Sequence, residues 1–149
     1  MQNWLMVTSE ESFNATLKKG LLGFYGDSKG QRLISKTSIG DRIVFYVTKQ
    51  RVVRGVFVVE SAPFLDESPL YGNHRDQEWN QRIRVKALSS DSSADFTELR
   101  WELDFIKDKA LPYSAYLVNT LIPLSEKDFN TITDALKAGK PALGDTTRR

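Results

Sequence analysis

Two apolar runs in the middle of the chain restrict its fold more than any other feature. "RIVFYVT" (Arg42 to Thr48) and "VVRGVFVVES" (Val52 to Ser61) are dense in Val, Ile, Phe and Tyr and flank a polar pair, Lys49–Gln50. Such side chains pack well on a pleated surface, so the two runs predict an antiparallel hairpin around Lys49–Gln50. Gly55 inside the second run predicts a bulge or a close backbone approach. A further run, "RIRVKA" (Arg82 to Ala87), alternates Ile83, Val85 and Ala87 with Arg82, Arg84 and Lys86. That alternation predicts a strand with one apolar and one basic face. "NWLMV" (Asn3 to Val7) reads as a buried first strand, and "LLGFYG" (Leu21 to Gly26) as a short second one.

Helices are expected near both ends. Thr8 with Glu11 has the spacing of a capping box, Phe13 and Leu17 then lie one turn apart, and Gly20 closes the helix. Ser125 with Asp128 repeats the capping signature before Phe129, Ile132 and Leu136, and Gly139 and Pro141 stop that helix. "FTELRWELDFI" is read as a third helix, since Phe96, Leu99, Leu103 and Ile106 share a face. "RLISKT" fits a single helical turn, "SIGD" a tight turn at Gly40, "SSDSSAD" (Ser89 to Asp95) a polar linker, and "PYSAYLVNTLIPL" an extended or irregular apolar segment. The fold class is therefore α+β, a small curved or barrel-like sheet with flanking helices. The folded unit is expected over residues 1–138, with 139–149 as a flexible tail.

Composition removes several functions. At 149 residues with 40% hydrophobic content, the chain suits one domain with a real core. Its 21 basic and 19 acidic residues leave +2, so a nucleic-acid contact must be a local patch rather than a global field. It has no cysteine, hence no disulfide, cysteine nucleophile or thiolate zinc site, as fits a reducing cytoplasm. "MQNWLMVTSEES" lacks the basic start of a signal peptide, and no apolar run approaches the roughly 20 residues of a membrane span. A soluble, cytoplasmic protein is expected.

Motifs for catalysis are weak. One histidine, His74, with scattered carboxylates gives no metal-ligand spacing, and no serine sits in a nucleophile elbow. The pairs Asp66/Glu67 and Asp76/Glu78 could act as acid and base, but a solvated loop is the plainer reading. "GDSKGQ" lacks the pattern of a phosphate loop. The arginine-rich strand is more suggestive. Its basic side chains stand in a row roughly 7 Å apart, close to the phosphate spacing of an extended nucleic-acid strand. A solvated edge is the plainer reading of that row. Phe24, Tyr25, Phe64, Tyr71 and Trp79 all fall in or beside loops, and beside arginines they suggest a pocket for a flat ring.

The order of "NWLMVTSEESF", "SIGDRIVFYVTKQRVVRGVFVVESAPFLDES", "RIRVKAL" and "LDFIKDK" resembles the EVE domain family of the PUA-like superfamily, related to YTH and ASCH domains. The match runs from Asn3 to about Leu136 and rests on Trp4, the Gly40–Asp41 turn, Gly55, the Ser61-x-Pro63-Phe64 exit, Asp66 and "FIKDK". The resemblance implies a PUA-like, partly open β-barrel of about five to six strands with flanking helices. It further implies a concave pocket that accepts a flipped, modified base of DNA or RNA; no cofactor is expected. Pocket residues by that resemblance are Thr8 and Ser9, then Leu22, Gly23, Phe24 and Tyr25, then the loop from Phe64 through Tyr71 to Trp79. Leu22 stands where relatives often carry a cage tryptophan, and "LPYS" (Leu111 to Ser114) where they often carry another, so the loop must supply more of the aromatic surface. Backbone amides near Gly23 and Ser9 would read the base edge. Lys29, Arg75, Arg82 and Arg84 would hold phosphates, and His74 would lie at the rim. Two other readings stay open: an ASCH-like enzyme using Lys29 with Tyr25 or Asp66, and a protein-interaction domain docking through the aromatic loop. An uncovered edge strand would allow a homodimer.

Overall fold

The computed structural model describes residues 1–72, 76–117 and 120–141. Of the expectations above, His74, Arg75 and the tail beyond residue 141 lie outside the described residues.

The expected hairpin forms from β3 (Arg42–Val47) and β4 (Val52–Val59). Its turn places Lys49 and Arg51 at φ of +70° and +59°. β1 (Asn3–Thr8) runs parallel to β3, Trp4 opposite Ile43, and antiparallel to β7 (Leu121–Leu124). On the other side β4 pairs with β6 (Gln81–Asp95), and β6 pairs with β2 (Leu21–Phe24). The order β2-β6-β4-β3-β1-β7 makes a curled half-barrel of six strands. Two short strands, β5 (Phe64–Leu65) and β8 (Lys140–Pro141), add to opposite ends of β6. Gly55 is a bulge as expected. It sits at φ +75°, the β4–β6 register shifts between Arg54 and Val56, and a Cβ there would lie 2.9 Å from the Phe57 ring.

The sheet is covered on both faces because its strands alternate two apolar sets. Trp4, Met6, Ile43, Phe45 and Val47 face one core with Phe13 of helix α1 (Glu10–Lys19). Leu5, Val44, Tyr46 and Val53 face a second core with α3 (Phe96–Leu99) and α4 (Glu126–Ala138). In the first core Phe13, Phe45 and Phe57 meet edge to face, with centroids 5.0 to 6.0 Å apart. Helix α2 (Ser28–Ile34) packs beside β2 and β6, replacing the single turn expected at "RLISKT". Among the described residues no helix is long and apolar enough to cross a membrane.

Four local expectations are corrected. The α1 cap is Ser9, whose side chain accepts from the Ser12 amide, because Thr8 is still paired in β1. "SSDSSAD" is no linker but the second half of β6, with Ser93 opposite Arg54 and Asp95 opposite Val52. Its partner supplies the ladder that its own propensity does not. The "FTELRWELDFI" helix stops at Leu99 and tightens into a 3-10 turn, Arg100–Glu102. Asp128 explains the stop: its two carboxylate oxygens accept from the amides of Asp104 and Phe105 at 2.8 and 3.0 Å. The expected reciprocal capping box at Asp128 is thereby replaced, although its amide still donates to Ser125 Oγ. Lys140–Pro141 pair with Ser93 and Ser92 of β6.

Asp41 closes the first turn of the barrel. It is 2% exposed and accepts from the Gln2 amide at 2.9 Å, the Trp4 indole Nε1 at 3.0 Å and the Ser38 amide at 2.9 Å. Asp41→Ala should therefore orphan three donors and cost about 3 kcal/mol. Asp41→Asn, which keeps one acceptor, should cost less. Urea unfolding followed by tryptophan fluorescence checks both.

Candidate nucleic-acid interface

β2 divides the expected pocket residues between its two faces. Leu22 and Phe24 point into the first core, 1% and 2% exposed. Gly23 and Tyr25 alternate to the outer face. The described residues of the loop between β5 and β6, Leu70, Tyr71 and Trp79 among them, cover that face, and Gly23 is what lets them come so close. A Cβ at Gly23 would lie 2.6 Å from Leu70 Cδ2 and 3.3 Å from Trp79 Cβ. Leu70 is buried in this groove. The Tyr71 hydroxyl accepts from the Gly23 amide at 3.0 Å and donates to its carbonyl at 3.4 Å. It thus satisfies an edge-strand peptide as a neighbouring strand would. At the other sheet edge, Pro123 in β7 withholds a donor.

Three rings meet on the outer face. Tyr25 and Trp79 are stacked, centroids 3.8 Å apart and planes 23° from parallel. Tyr71 meets Trp79 edge-on at 5.4 Å and 83°. All three are half-buried.

Arg82 shares this face, being the register partner of Gly23. The expected outward basic row holds for Arg84 and Lys86, both exposed, but Arg82 has 0% exposure. The covering loop encloses its guanidinium and uses it up. Nε donates to the Trp79 carbonyl at 2.9 Å, Nη1 to Ser68 Oγ at 3.1 Å and Nη2 to the Ser68 carbonyl at 2.6 Å. Nη1 also lies 3.4 Å from Asp66 Oδ2. Lys19 Nζ holds the same loop from α1, donating to the Leu70 carbonyl at 2.8 Å and that of Pro69 at 3.3 Å. The Ser68 amide and side chain, with help from Arg82 and Arg84, hold the Asp66 carboxyl below its usual value. Arg84 lies over the half-buried Phe64 ring, 5.3 Å from its centroid.

Other expected residues are elsewhere or already engaged. Thr8 and Ser9 end β1, three strands away from β6 in the sheet order, and the Ser9 hydroxyl is spent on the α1 cap. The Gly23 amide is taken by Tyr71. Lys29 is exposed on α2. Beside the stacked pair lies an open cleft of about 430 Å³ lined by Tyr25, Gly26, Asp27, Gln77, Glu78 and Asn80. The Gly26 amide donates to the Glu78 carbonyl at 3.0 Å and joins its two walls. Asp27 caps α2 by accepting from the Gly30 amide at 2.8 Å. Sequence reasoning missed Lys19, Leu70 and the Asp27–Asn80 cleft. Only the Asp27 cap, an Asp three residues before a glycine amide, had a local signal.

A curled half-barrel sheet with helices on both faces is a PUA-like fold. Within that class the chain belongs to the EVE domain family, whose model matches residues 2–135. UPF0310 protein PH1033 of Pyrococcus horikoshii is 23% identical over 147 residues, covering 91% of this chain and 99% of that protein. Among solved structures, the YTH domain of Zygosaccharomyces rouxii MRB1 in complex with N6-methyladenosine RNA superposes with a TM-score of 0.66 at 13% identity. It covers 95% of this chain and 90% of that one. Human THYN1 in complex with 5-methylcytosine-containing DNA gives 0.60 at 12% identity, over 92% and 98% of the two chains. Rpa0253 from Rhodopseudomonas palustris gives 0.63 at 14%, over 93% and 94%.

Two outcomes follow from the loop anchor. Arg82→Lys keeps the charge but loses the planar fan of donors, and should cost about 2 kcal/mol while flattening the near-ultraviolet circular dichroism of the ring cluster. Asp66 contributes as a carboxylate. Its stabilisation is complete above the ordinary aspartate pKa of about 3.9 and is lost as pH falls through the lower folded value. Tryptophan fluorescence should therefore hold steady from neutral pH down to about pH 5 and shift below about pH 4, and the part of that shift due to this carboxyl should be missing in Asp66→Asn.

Proposed function

We propose that this chain is a non-enzymatic nucleic-acid-binding module that reads a modified, methylated base on the outer face of β2. The observation that carries the reading is the cluster of Tyr25, Tyr71 and Trp79 held over Gly23 by a fully enclosed arginine. Domains of the same fold have been solved with methylated RNA and methylated DNA, which supports assigning the same class of ligand here.

The base would be accepted by exchange. Tyr25 and Trp79 already touch, at 3.8 Å. A ring inserted between them would need a separation on the order of 7 Å, two carbon contacts deep. The incoming base takes Tyr25's place against Trp79, replacing one stacking contact by another. Tyr71 walls one side, and a methyl group adds apolar contact. Leu22 and Phe24 support the floor from the core side of β2. Arg84 with Phe64, and Lys29 on α2, are the exposed groups assigned to phosphates. Arg82 passes from phosphate ligand to positioning residue. Asp66, engaged by Ser68 and Arg82, is an anchor of the loop rather than an acid or base.

Titration with short single-stranded RNA and DNA carrying one N6-methyladenine or one 5-methylcytosine tests the reading. One methylated strand should bind about fourfold or more tightly than its unmodified twin, the worth of one buried methyl. Trp79→Ala should weaken binding about tenfold, as loss of a stacking partner does. Arg84→Gln should lower the slope of log affinity against log salt by about one. Equal, salt-insensitive, negligible binding of all strands overturns the proposal.

A further inference from the structure

Strand register lines up a set of cations on the outer face of the sheet, between the aromatic cluster and helix α4. Lys86 is the register partner of Val58, and Val58 of Arg42, so the three share that face. Arg84 stands one strand repeat before Lys86. Arg84 and Lys86 are exposed, and Val58 and Arg42 are half-buried. Arg84 and Lys86 are roughly 7 Å apart along β6, and Lys86 and Arg42, two strands apart, roughly 10 Å. Arg42 is the unusual member. Its guanidinium lies over the Phe129 ring, 4.5 Å from the centroid, and its Nε is buried without a hydrogen-bond partner. Its terminal nitrogens keep contact with solvent and bond to no described residue. Asn3, its register partner on β1, also has a buried Oδ1 without a partner. Even a direct bond from Nε to that oxygen would leave the terminal N–H groups unbonded. The buried carboxylates are committed elsewhere, Asp41 to Gln2, Trp4 and Ser38, and Asp128 to the amides of Asp104 and Phe105. The exposed ones, Glu60 after β4 and Glu126 and Asp134 on α4, form no ion pair with Arg42. The ring offsets part of the cost of a half-buried cation, and an acceptor from outside the chain would offset the rest.

From this geometry we infer that Arg84, Lys86 and Arg42 form a phosphate track, which carries one single-stranded flank of the nucleic acid from the base site across the sheet to α4. Arginine suits the far end, because its planar fork donates two parallel bonds to two phosphate oxygens. Phe129 behind it fixes the plane of that fork. Val58, between Lys86 and Arg42, offers an apolar floor to a sugar or base. The steps sum to roughly 17 Å, about five nucleotides of a stacked strand at 3.4 Å each. The inference rests on the base-reading proposal for the point where the strand starts, and adds a direction and a footprint to it. An acidic peptide would meet the same cations, and the experiment separates the two ligands.

Single strands carrying one N6-methyladenine or one 5-methylcytosine, and their unmodified twins, are made with a short or a long flank on the 5′ or the 3′ side. They are titrated into the intact protein by fluorescence anisotropy at several salt concentrations. Lengthening the flank should tighten binding on one side, and on that side alone the gain should depend on Arg42. Arg42→Gln should lower the slope of log affinity against log salt by about 0.7 for that long-flank strand, and leave the short-flank strands unchanged. Arg42→Lys should restore the slope, because it keeps the charge, whereas a role confined to packing on Phe129 would move the melting temperature and not the slope. Val58→Glu, a carboxylate set midway along the track, should undo the gain from the long flank. Equal affinity for long and short flanks, a flank gain that survives Arg42→Gln, or tighter binding of hexaglutamate than of an unmodified hexanucleotide overturns the inference. Binding that depends on methylation but not on flank length leaves the base-reading proposal standing and removes this one. A flank gain that needs Arg42 but ignores methylation removes the base-reading proposal and leaves the track. Absence of binding to every strand removes both.

Discussion

Four strands hydrogen-bond to the single strand β6: β2 and β5 at its start, β4 along most of its length, and β8 near its end. That one strand sets the register of its four partners, because a slip of one residue would exchange its faces. It places Arg82 opposite Gly23 and Phe64, and so decides that an arginine, a glycine and an aromatic share one surface. The chain reaches β6 from β5 through a long polar loop, which must cross this surface on its way back. Everything proposed for the site follows from how that crossing is held down.

Enclosing a guanidinium is costly unless its donors all find acceptors. Here the acceptors are the groups the loop most needs to satisfy, the carbonyls of Trp79 and Ser68, with the Ser68 hydroxyl and the Asp66 carboxylate. Left without partners, those carbonyls would oppose close packing of the loop. Arg82 therefore offsets two penalties at once. Lys19 and the Tyr71 hydroxyl act in the same way from either side. The result is a polar loop whose described residues hold the Tyr71 and Trp79 rings against β2 and β6. Pre-organisation of this kind reduces the entropy a ligand must overcome.

Charge is sorted across the same surface. Arg84 and Lys86 remain exposed along β6, while the described lining of the cleft beside Tyr25 carries two carboxylates, Asp27 and Glu78, and two amides, Gln77 and Asn80. A nucleotide has both kinds of complement, an anionic backbone and a donor-bearing base edge. With a net charge of only +2, the chain presents a local charge pattern instead of a global field.

Local pattern revealed strands β1 to β4 and the first half of β6, the hairpin at Lys49–Gln50, the bulge at Gly55, the helix stop at Gly20 and the α4 cap at Ser125. Each depends on interactions within a few residues, so the spacing of side chains is enough to reveal it. Alternation likewise predicted that Arg84 and Lys86 would face outward. The same alternation predicted an outward Arg82, and that residue is enclosed because a segment distant in sequence folds over it. "SSDSSAD" read as a linker for a related reason: its strand character comes from β4, not from its own residues. Only tertiary structure could separate Leu22 and Phe24 from Gly23 and Tyr25 as inner and outer faces of one strand. Only tertiary structure brought Tyr25, Asp27, Glu78 and Asn80 to one cleft. These groupings arise from strand pairing and loop closure across some fifty residues (Tyr25 to Trp79), and no local pattern records which distant backbone will arrive.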